Sequence, residues 1–210
     1  MATGVEAARA TLGPVGVCLP GSLTVPLNAD LQRDAVRRFD HAGYRTVWTN
    51  EVLGKDAFVQ LGVLLAETER MVFGTCIANI WARPAQTMHA AAAQLAEAYP
   101  GRFVMGLGVG YPEQAASVGQ EFGRPLVTMR DYCQRMDEST WPPVPDATYP
   151  RIIAANGPKM VALAGEIGDS AHEHLFAGAD HVTILPPLGG DFGIGIDQLE
   201  KIAPALTGLG

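Results

Sequence analysis

The chain has 210 residues, of which 48% are hydrophobic, and its formal net charge is −7 at pH 7. This length and composition supply enough apolar surface for one large domain or two small ones. The acidic balance, without a basic stripe, argues against a nucleic-acid interface or an anionic membrane patch, so a small molecule is the expected partner.

Short apolar runs alternate with amphipathic segments along the chain. In chain order, the pattern predicts the strand VGVCLP (15–20), the helix DLQRDAVRRFDHAGY (30–44), the strand TVWTN (46–50), the helix KDAFVQLGVLLAETER (55–70), the strand MVFGTCIANI (71–80) and the helix AQTMHAAAAQLAEAY (85–99). It then predicts the strand RFVMGLGVG (102–110), the helix RPLVTMRDYCQRMDE (124–138), the strand RIIAAN (151–156), the helix PKMVALAGEI (158–167), the strand HVTIL (181–185) and the helix DQLEKIAPAL (197–206).

Six apolar strands separated by amphipathic helices indicate an α/β fold with a parallel sheet covered by helices. Periodicity does not distinguish a closed barrel from an open doubly wound sheet, because both share this alternation. We expect residues 1–210 to form a single domain, with the proline-rich residues 139–150 as a surface loop.

The three cysteines, Cys18, Cys76 and Cys133, are odd in number and far apart, so they predict reduced, mostly buried thiols rather than a disulfide framework or a metal site. His172 and His174 are two residues apart with no third ligand at a recognisable distance, and we expect no metal site. The sequence shows neither a secretory leader nor an apolar run of membrane-spanning length, which favours a cytoplasmic protein.

Polar residues follow several of the predicted strands. Asn50 and Glu51 come after one strand, and Asn79, Trp81 and Arg83 come at or after the next. Since the carboxyl ends of parallel strands share one edge of a sheet, these side chains are expected to converge there. Taken singly, Glu51 or Arg83 is more often a solvated loop residue than part of a binding site.

Two glycine-containing turns also end strands. GLGVG at 106–110 includes Gly108 and Gly110 and would allow a ligand close to the backbone, but Tyr111 stands where a dinucleotide fingerprint needs its third glycine. AANGPKM at 154–160 leads into a helix whose free amides and positive dipole end would suit an anion, with Lys159 as a nearby cation. An ordinary strand-to-helix junction explains the second turn about equally well.

Several segments together resemble the bacterial luciferase-like monooxygenase superfamily, especially its actinobacterial branch that uses a deazaflavin. They are FDHAGYRTVWTNE, RMVFGTCIANIWAR, AAAAQLAEAYPGRFVMGLGVG, YPRIIAANGPKMVALAGEIGDSA and AGADHVTILP. The resemblance covers almost the whole chain from Val15 onward and implies a (β/α)8 barrel of the TIM-barrel type. It also implies a homodimer that transfers hydride or activates oxygen with coenzyme F420, or alternatively FMN, on a small organic substrate.

The resemblance also implies which residues contact the coenzyme. The strand with TCIAN often bulges beneath the ring in such proteins, sometimes with a non-prolyl cis peptide, and the motif matching NGPKM holds the phosphate. The implied coenzyme-binding residues are Asn50, Thr75, Ile77, Ala78, Asn79, Gly108, Gly110, Asn156, Gly157, Pro158 and Lys159.

The general acid is left open by the sequence. In hydride-transferring relatives an acid follows the GxG of the fourth strand, whereas Tyr111 occupies that place here. Three residues are therefore candidates to protonate or orient a substrate, namely Glu51, His89 and Tyr111.

The resemblance also implies that part of the barrel is missing. An eight-unit barrel usually takes ~250 residues, and GDSAH, which begins the sixth strand in the family, is followed almost directly by HLFAGADHV, which precedes the eighth. About two β/α units are therefore absent, with the junction near residues 171–175. We expect that a segment is deleted here, or is left out of the given sequence, rather than that a new closed barrel forms, since missing strands would leave unpaired edges. A non-catalytic remnant that binds a ligand or partner is the alternative function.

Overall fold

The computed structural model describes residues 11–20, 28–52, 54–168, 170–171, 181–186 and 191–208, with the backbone alone at 170–171. In that part of the chain the strands are β1 (Val15–Cys18), β2 (Thr46–Thr49), β3 (Val72–Thr75), β4 (Ala78–Asn79), β5 (Phe103–Gly108), β6 (Arg151–Ile153), β7 (Ser170–Ala171) and β8 (Val182–Ile184). The helices are α1 (Ala29–His41), α2 (Ala57–Leu65), α3 (Ala85–Ala98), α4 (Pro112–Ser117), α5 (Pro125–Met136), α6 (Pro158–Ile167) and α7 (Phe192–Thr207).

The strands form one parallel sheet in the order β7-β6-β5-β3-β2-β1-β8, with β4 paired to β5 beside β3. Every described pairing is parallel, and helices follow most of the strands, so the α/β fold class is confirmed. Among the described strands the order is open, since it runs from β7 at one edge to β8 at the other. This is a partial barrel rather than a closed one.

Apolar side chains pack on both faces of the sheet. The larger cluster lies between sheet and helices and includes Phe39, Leu61, Phe73, Met88 and Met129, all essentially inaccessible to solvent. A smaller cluster lies on the other face and consists of Leu12, Cys18, Trp48, Val72, Val104 and Ile152. Apart from Leu12, which precedes β1, the second cluster comes from β1, β2, β3, β5 and β6, and it marks the interior toward which the sheet curves.

Trp48 and His181 join β2 to the segment before β8 inside the sheet. The Trp48 indole donates a hydrogen bond of 3.0 Å to Nε2 of His181, whose Nδ1 lies 2.6 Å from the Gly13 carbonyl oxygen. Because Nε2 accepts, the proton belongs on Nδ1, which donates to the carbonyl. Both side chains are buried, so these bonds fix the positions of the two rings across β1.

Side-chain caps explain where several helices begin. Asn28 accepts a hydrogen bond from the Leu31 amide at the start of α1, and Asp56 accepts from two amides of α2. Asp191 caps α7, which is why that helix starts at Phe192, before the predicted residue 197. Helix α6 spans the predicted residues 158–167.

Two sequence-based expectations differ from the structure, and two others lie largely or wholly outside the described residues. The prediction of six strands was wrong because MVFGTCIANI is broken into β3 and β4, and because Ser170–Ala171 pairs with β6 as β7. Cys76 is exposed rather than buried, since it lies at that break. Residues 172–180 lie outside the described residues. They include the His172–His174 pair and most of the predicted junction near residues 171–175.

The described helices include none with both the length and the apolar character needed to cross a bilayer. Within the same residues, no three histidine, cysteine or acidic side chains are grouped so that they could hold a metal ion.

Candidate functional site

The break between β3 and β4 lies at the carboxyl edge of the sheet. The peptide bond between Cys76 and Ile77 is cis, as the family resemblance implies for this strand. On either side of it, the Cys76 amide donates to the Thr49 carbonyl at 2.7 Å, and the Ile77 carbonyl accepts from the Glu51 amide at 3.1 Å. The break is therefore held in register with the end of β2.

The Thr75 side chain ties the same break to β5. Its hydroxyl donates to the Gly106 carbonyl oxygen at 2.7 Å and accepts from the Gly106 amide at 2.9 Å. Thr75 is buried, and these two bonds satisfy its hydroxyl without any ligand. Thr75 therefore fixes the backbone path where β3 meets β5.

Glu51 connects three segments of the chain at the carboxyl edge of the sheet, which we call the rim. One carboxylate oxygen accepts from the Ala57 amide at 3.1 Å and the other from the Asn79 amide at 2.9 Å. Arg83 donates to both oxygens, and it also donates to Asp56 at 3.1 Å. The Glu51 side chain is only 3% exposed, so this carboxylate is committed to a buried ion pair and to two backbone amides.

A cavity of about 60 Å³ lies on the inner face of the sheet near this break. Its lining residues are Trp48, Thr75, Cys76, Ile77, Gly106, Ile152, Ala154 and Thr183. They come from β2, β3, the β3–β4 break, β5, β6 and β8, so side chains distant in sequence converge inside the curved sheet.

The glycines of GLGVG provide clearance for neighbouring groups. A Cβ at Gly108 would lie 1.9 Å from the Ile77 side chain, and one at Gly110 would lie 2.1 Å from Gln114 Oε1. Gly110 also has φ +60°, in the left-handed region that favours glycine. The space at both positions is thus filled by the protein itself.

Lys55 is a functional candidate that the sequence analysis did not single out. Its ammonium donates to the Thr49 hydroxyl at 2.7 Å and to Asn50 Oδ1 at 3.0 Å, so it reaches back to the end of β2. Burial lowers its pKa to about 8, against the opposing effect of the nearby Glu51 carboxylate. A lysine with this pKa can exchange a proton near neutral pH. The only signal in the sequence was its position five residues after the predicted strand TVWTN, which ends at Asn50.

Helix α6 begins immediately beyond the cavity wall. Ala154 lines the cavity, and Gly157 is the N-cap of the helix, three residues later. No side chain caps this helix start, and nothing lies within 4 Å of the position that a Cβ on Gly157 would occupy. Asn156, Pro158 and Lys159 are exposed around it, which leaves room for an anion at the helix N-terminus.

The other two acid candidates lie in different places. Tyr111 is 69% exposed at the start of α4, next to the end of β5. His89 lies on α3, where its Nδ1 is 2.6 Å from the Tyr149 hydroxyl. Burial, followed by the charge of Arg151, lowers the pKa of His89. Because Tyr149 precedes β6, it belongs to the opposite end of that strand from Ala154, and the structure does not bring His89 to the cavity.

A second cavity of about 270 Å³ lies between the loops that follow β2, β4 and β5. It is lined by twelve residues that include Glu51, Lys55, Asn79, Trp81 and Arg83. The Trp81 indole donates to the Val109 carbonyl at 2.7 Å, which holds one wall against the end of β5. This cavity is large enough for a small organic molecule.

Similar proteins were found at the levels of sequence and fold. The chain is 30% identical over 169 residues to a Mycobacterium tuberculosis protein described as coenzyme F420-dependent oxidoreductase Rv3520c, with 65% of this chain and 48% of that protein covered. The chain therefore spans about half the length of that relative.

Two solved structures share the fold at low sequence identity. An F420-dependent secondary alcohol dehydrogenase in complex with an F420–acetone adduct has a TM-score of 0.63 at 20% identity, over 75% of this chain and 57% of that one. The FMN-bound oxygenating component of 3,6-diketocamphane monooxygenase, from Pseudomonas putida, has a TM-score of 0.60 at 13% identity, over 93% of this chain and 63% of that one.

The family model described as luciferase-like monooxygenase matches residues 15–187, which include β1 to β8 and the cavity that they enclose. The chain therefore belongs to the luciferase-like monooxygenase family.

Proposed function

We propose that the chain binds coenzyme F420 at the carboxyl edge of its sheet and works as an oxidoreductase on a small organic substrate. FMN is the alternative coenzyme, and oxygen activation is the alternative chemistry. The observation that carries the proposal is a cavity lined by the β3–β4 break, adjoining an uncapped helix N-terminus at the end of β6. The F420-named relative at 30% identity supports the choice of coenzyme.

The residues at the edge fit a ring with a phosphate tail. Trp48, Ile77 and Ile152 give the cavity an apolar wall suited to a planar ring, and Gly157, the N-cap of α6, follows the lining residue Ala154 by three positions. At about 60 Å³ it is smaller than a tricyclic ring, so part of the ring must extend into the open rim. The amides that begin α6, with Lys159 beside them, would hold the phosphate. When bound, the coenzyme supplies the hydride-accepting and hydride-donating ring.

Lys55 and Tyr111 are the residues we propose for proton handling. Lys55 is held at the end of β2 by Thr49 and Asn50, and its lowered pKa allows it to donate a proton near neutral pH. Tyr111 is exposed beside the end of β5 and can contact a substrate there. We propose a positioning role for Glu51, since its carboxylate holds the amides of Ala57 and Asn79 in place.

Titration with oxidised F420 and with FMN tests coenzyme binding. Ala154→Leu fills the cavity and should weaken binding about tenfold, by analogy with the 1–3 kcal/mol cost of overpacking. Lys159→Met should weaken it about threefold, as expected for one exposed charge pair. Ala205→Leu and Lys201→Met make the same changes at exposed positions of α7 and should leave binding unchanged.

Different results would contradict coenzyme binding and catalytic activity. Absence of binding to both coenzymes would contradict the coenzyme site. Binding without any change in coenzyme absorbance across a panel of secondary alcohols and ketones, with the coenzyme oxidised and then reduced, would instead favour a non-catalytic binding module.

A further inference from the structure

Asn79 has an unpartnered amide nitrogen beside the cavity of about 270 Å³ between the loops after β2, β4 and β5, which we call the loop cavity. Its Oδ1 accepts a hydrogen bond from the Trp81 amide at 3.0 Å, which identifies the other atom as Nδ2. Among the described residues, Nδ2 donates to no acceptor. Asn79 is only 6% exposed, yet no fully inaccessible side-chain nitrogen or oxygen in that part of the chain lacks a partner. Nδ2 is therefore accessible through the loop cavity, which Asn79 lines.

Gln114 brings a second carboxamide to the same place. Its Oε1 accepts from the Tyr111 amide at 2.8 Å, and its Nε2 donates to none of the described residues. A Cβ at Gly110 would lie 2.1 Å from Gln114 Oε1 and 3.3 Å from Asn79 Nδ2, so the two carboxamides are neighbours beside that glycine. Two neutral NH2 groups are thus free to donate to a ligand in the loop cavity.

Lys55 adds a charged donor to the loop cavity. Its ammonium carries three N–H groups, and two of them donate to the Thr49 hydroxyl and to Asn50 Oδ1. The third has no acceptor among the residues that the structure describes. Because Lys55 lines the loop cavity, a ligand there can accept this third hydrogen bond.

The carboxylates of the loop cavity are already occupied. Glu51 accepts from two backbone amides and from Arg83. Asp56 accepts from two amides of α2 and also from Arg83. The formal charges of the charged lining residues cancel, since these are Glu51, Lys55, Asp56 and Arg83. A neutral ligand whose oxygens accept hydrogen bonds therefore suits the loop cavity better than an anion or a cation.

We propose that the loop cavity binds a neutral carbonyl compound that has a second hydrogen-bond-accepting oxygen. The Lys55 ammonium donates to the carbonyl oxygen, and the carboxamides of Asn79 and Gln114 donate to the second oxygen. Val52 and Trp81 are among the lining residues that cover the carbon chain between them. This inference names the substrate class for the proposed function and rests on that function only in calling the ligand a substrate. Binding to the loop cavity does not require the coenzyme.

Matched pairs of neutral ketones test the need for the second oxygen. 5-Methoxypentan-2-one and 1-methoxypropan-2-one have an ether oxygen where heptan-2-one and pentan-2-one, respectively, have a methylene group. Saturation-transfer NMR with the coenzyme-free chain measures the four dissociation constants. In at least one pair we expect the methoxyketone to bind about fivefold more tightly, as for one additional hydrogen bond.

Substitutions at the three donors assign the two oxygens. Gln114→Glu and Asn79→Asp keep the oxygen that accepts from the backbone and replace the NH2 group with oxygen, so each should decrease the preference for the methoxyketone. Gln134→Glu is the same change at an exposed position of α5 and should preserve it. Lys55→Met removes the donor to the carbonyl group that all four ketones share. It should weaken both members of a pair about fivefold and leave their ratio unchanged, whereas Lys201→Met on the exposed face of α7 should weaken neither.

Three results would overturn the proposal: equal binding within both ketone pairs, a preference that neither carboxamide substitution decreases, or a Lys55→Met chain that binds both ketones as before. Circular dichroism identifies any variant whose loss of binding comes from unfolding, and the ketone pairs test the unchanged chain in any case. Titration with F420 and FMN separates this inference from the proposed function. A methoxyketone preference in a chain that binds neither coenzyme would support the loop cavity and contradict the coenzyme site. Coenzyme binding without any preference between paired ketones would overturn this inference alone.

Discussion

At the scale of single residues, Lys55 has an unusual protonation equilibrium for a lysine. Its ammonium is enclosed by the loop after β2 and bonded to two neutral oxygens, those of Thr49 and Asn50. Neither oxygen carries a charge that would compensate for the loss of water, so burial outweighs the attraction of Glu51 and the pKa is lowered to about 8. This shift makes Lys55 suitable as a proton donor at the rim.

The lowered pKa predicts how fast Lys55 reacts with acetic anhydride. Only the neutral amine reacts, so acetylation of Lys55 should rise with pH and reach half its maximum near pH 8. In urea-unfolded chain the same residue should titrate near the unperturbed lysine pKa of about 10.4. Glu51→Gln removes the opposing negative charge and should lower the folded value further. Equal acetylation midpoints in the folded and the unfolded chain would contradict the proposed role of Lys55 as a proton donor.

Glu51 shows what the sequence could and could not predict at this scale. A polar residue directly after a buried strand indicated the carboxyl edge, and the residue does lie there. Its partners Asn79 and Arg83 follow 28 and 32 residues later in the chain. The intervening chain has to fold before the ion pair exists. The position of Glu51 in the sequence therefore could not show whether its carboxylate is buried in an ion pair or free to act as an acid.

At the scale of elements, the joint between β5 and the β3–β4 break depends on two glycines with different neighbours. A Cβ at Gly106 would lie 2.0 Å from the Thr75 carbonyl oxygen, which is backbone. A Cβ at Gly108 would lie 1.9 Å from Cδ1 of Ile77, the far end of a flexible side chain. The first clash requires a strand to move, whereas the second requires a side chain to rotate.

These neighbours predict a clear order of stability for two matched variants. Gly106→Ala should decrease the free energy of unfolding by about 3 kcal/mol or more, and Gly108→Ala by about 1 kcal/mol, the two ends of the range for overpacking. Urea denaturation followed by circular dichroism measures both. If Gly108→Ala were the more damaging substitution, the backbone of the break would be more adaptable than the Ile77 side chain.

Element boundaries were predictable where local residues determine them. Helix α6 was predicted over its observed residues, and its start was predictable because Pro158 suits a first turn. The division of MVFGTCIANI was not predictable from its periodicity, because the strand residues on both sides of the break are all buried. There the partners on β2 and β5 decide the backbone path, and only the family resemblance, not the periodicity, indicated a bulge at this place.

At the scale of the whole molecule, the alternation of strands and helices predicted the parallel sheet but not its closure. The described sheet ends at β7 and β8, and each pairs with a neighbour on one side, β6 and β1 respectively. Hydrogen bonding along the sheet therefore does not by itself enforce its curvature. Side chains on the inner face must contribute, and Trp48 is the largest of that cluster.

Trp48 should therefore affect the stability of the whole sheet. Its ring lies where Cβ atoms on Gly16 and Gly74 would be, and its indole holds His181 beside β8. Trp48→Ala should decrease the free energy of unfolding by about 3–5 kcal/mol, the usual cost of truncating a buried tryptophan. Trp141→Ala is the matched control, since Trp141 is 95% exposed and its removal should change little. Urea denaturation followed by circular dichroism measures both without relying on tryptophan emission. Equal stability of the two variants would mean that the sheet does not curve around Trp48. Trp48 could then not be the side chain that shapes the cavity it lines.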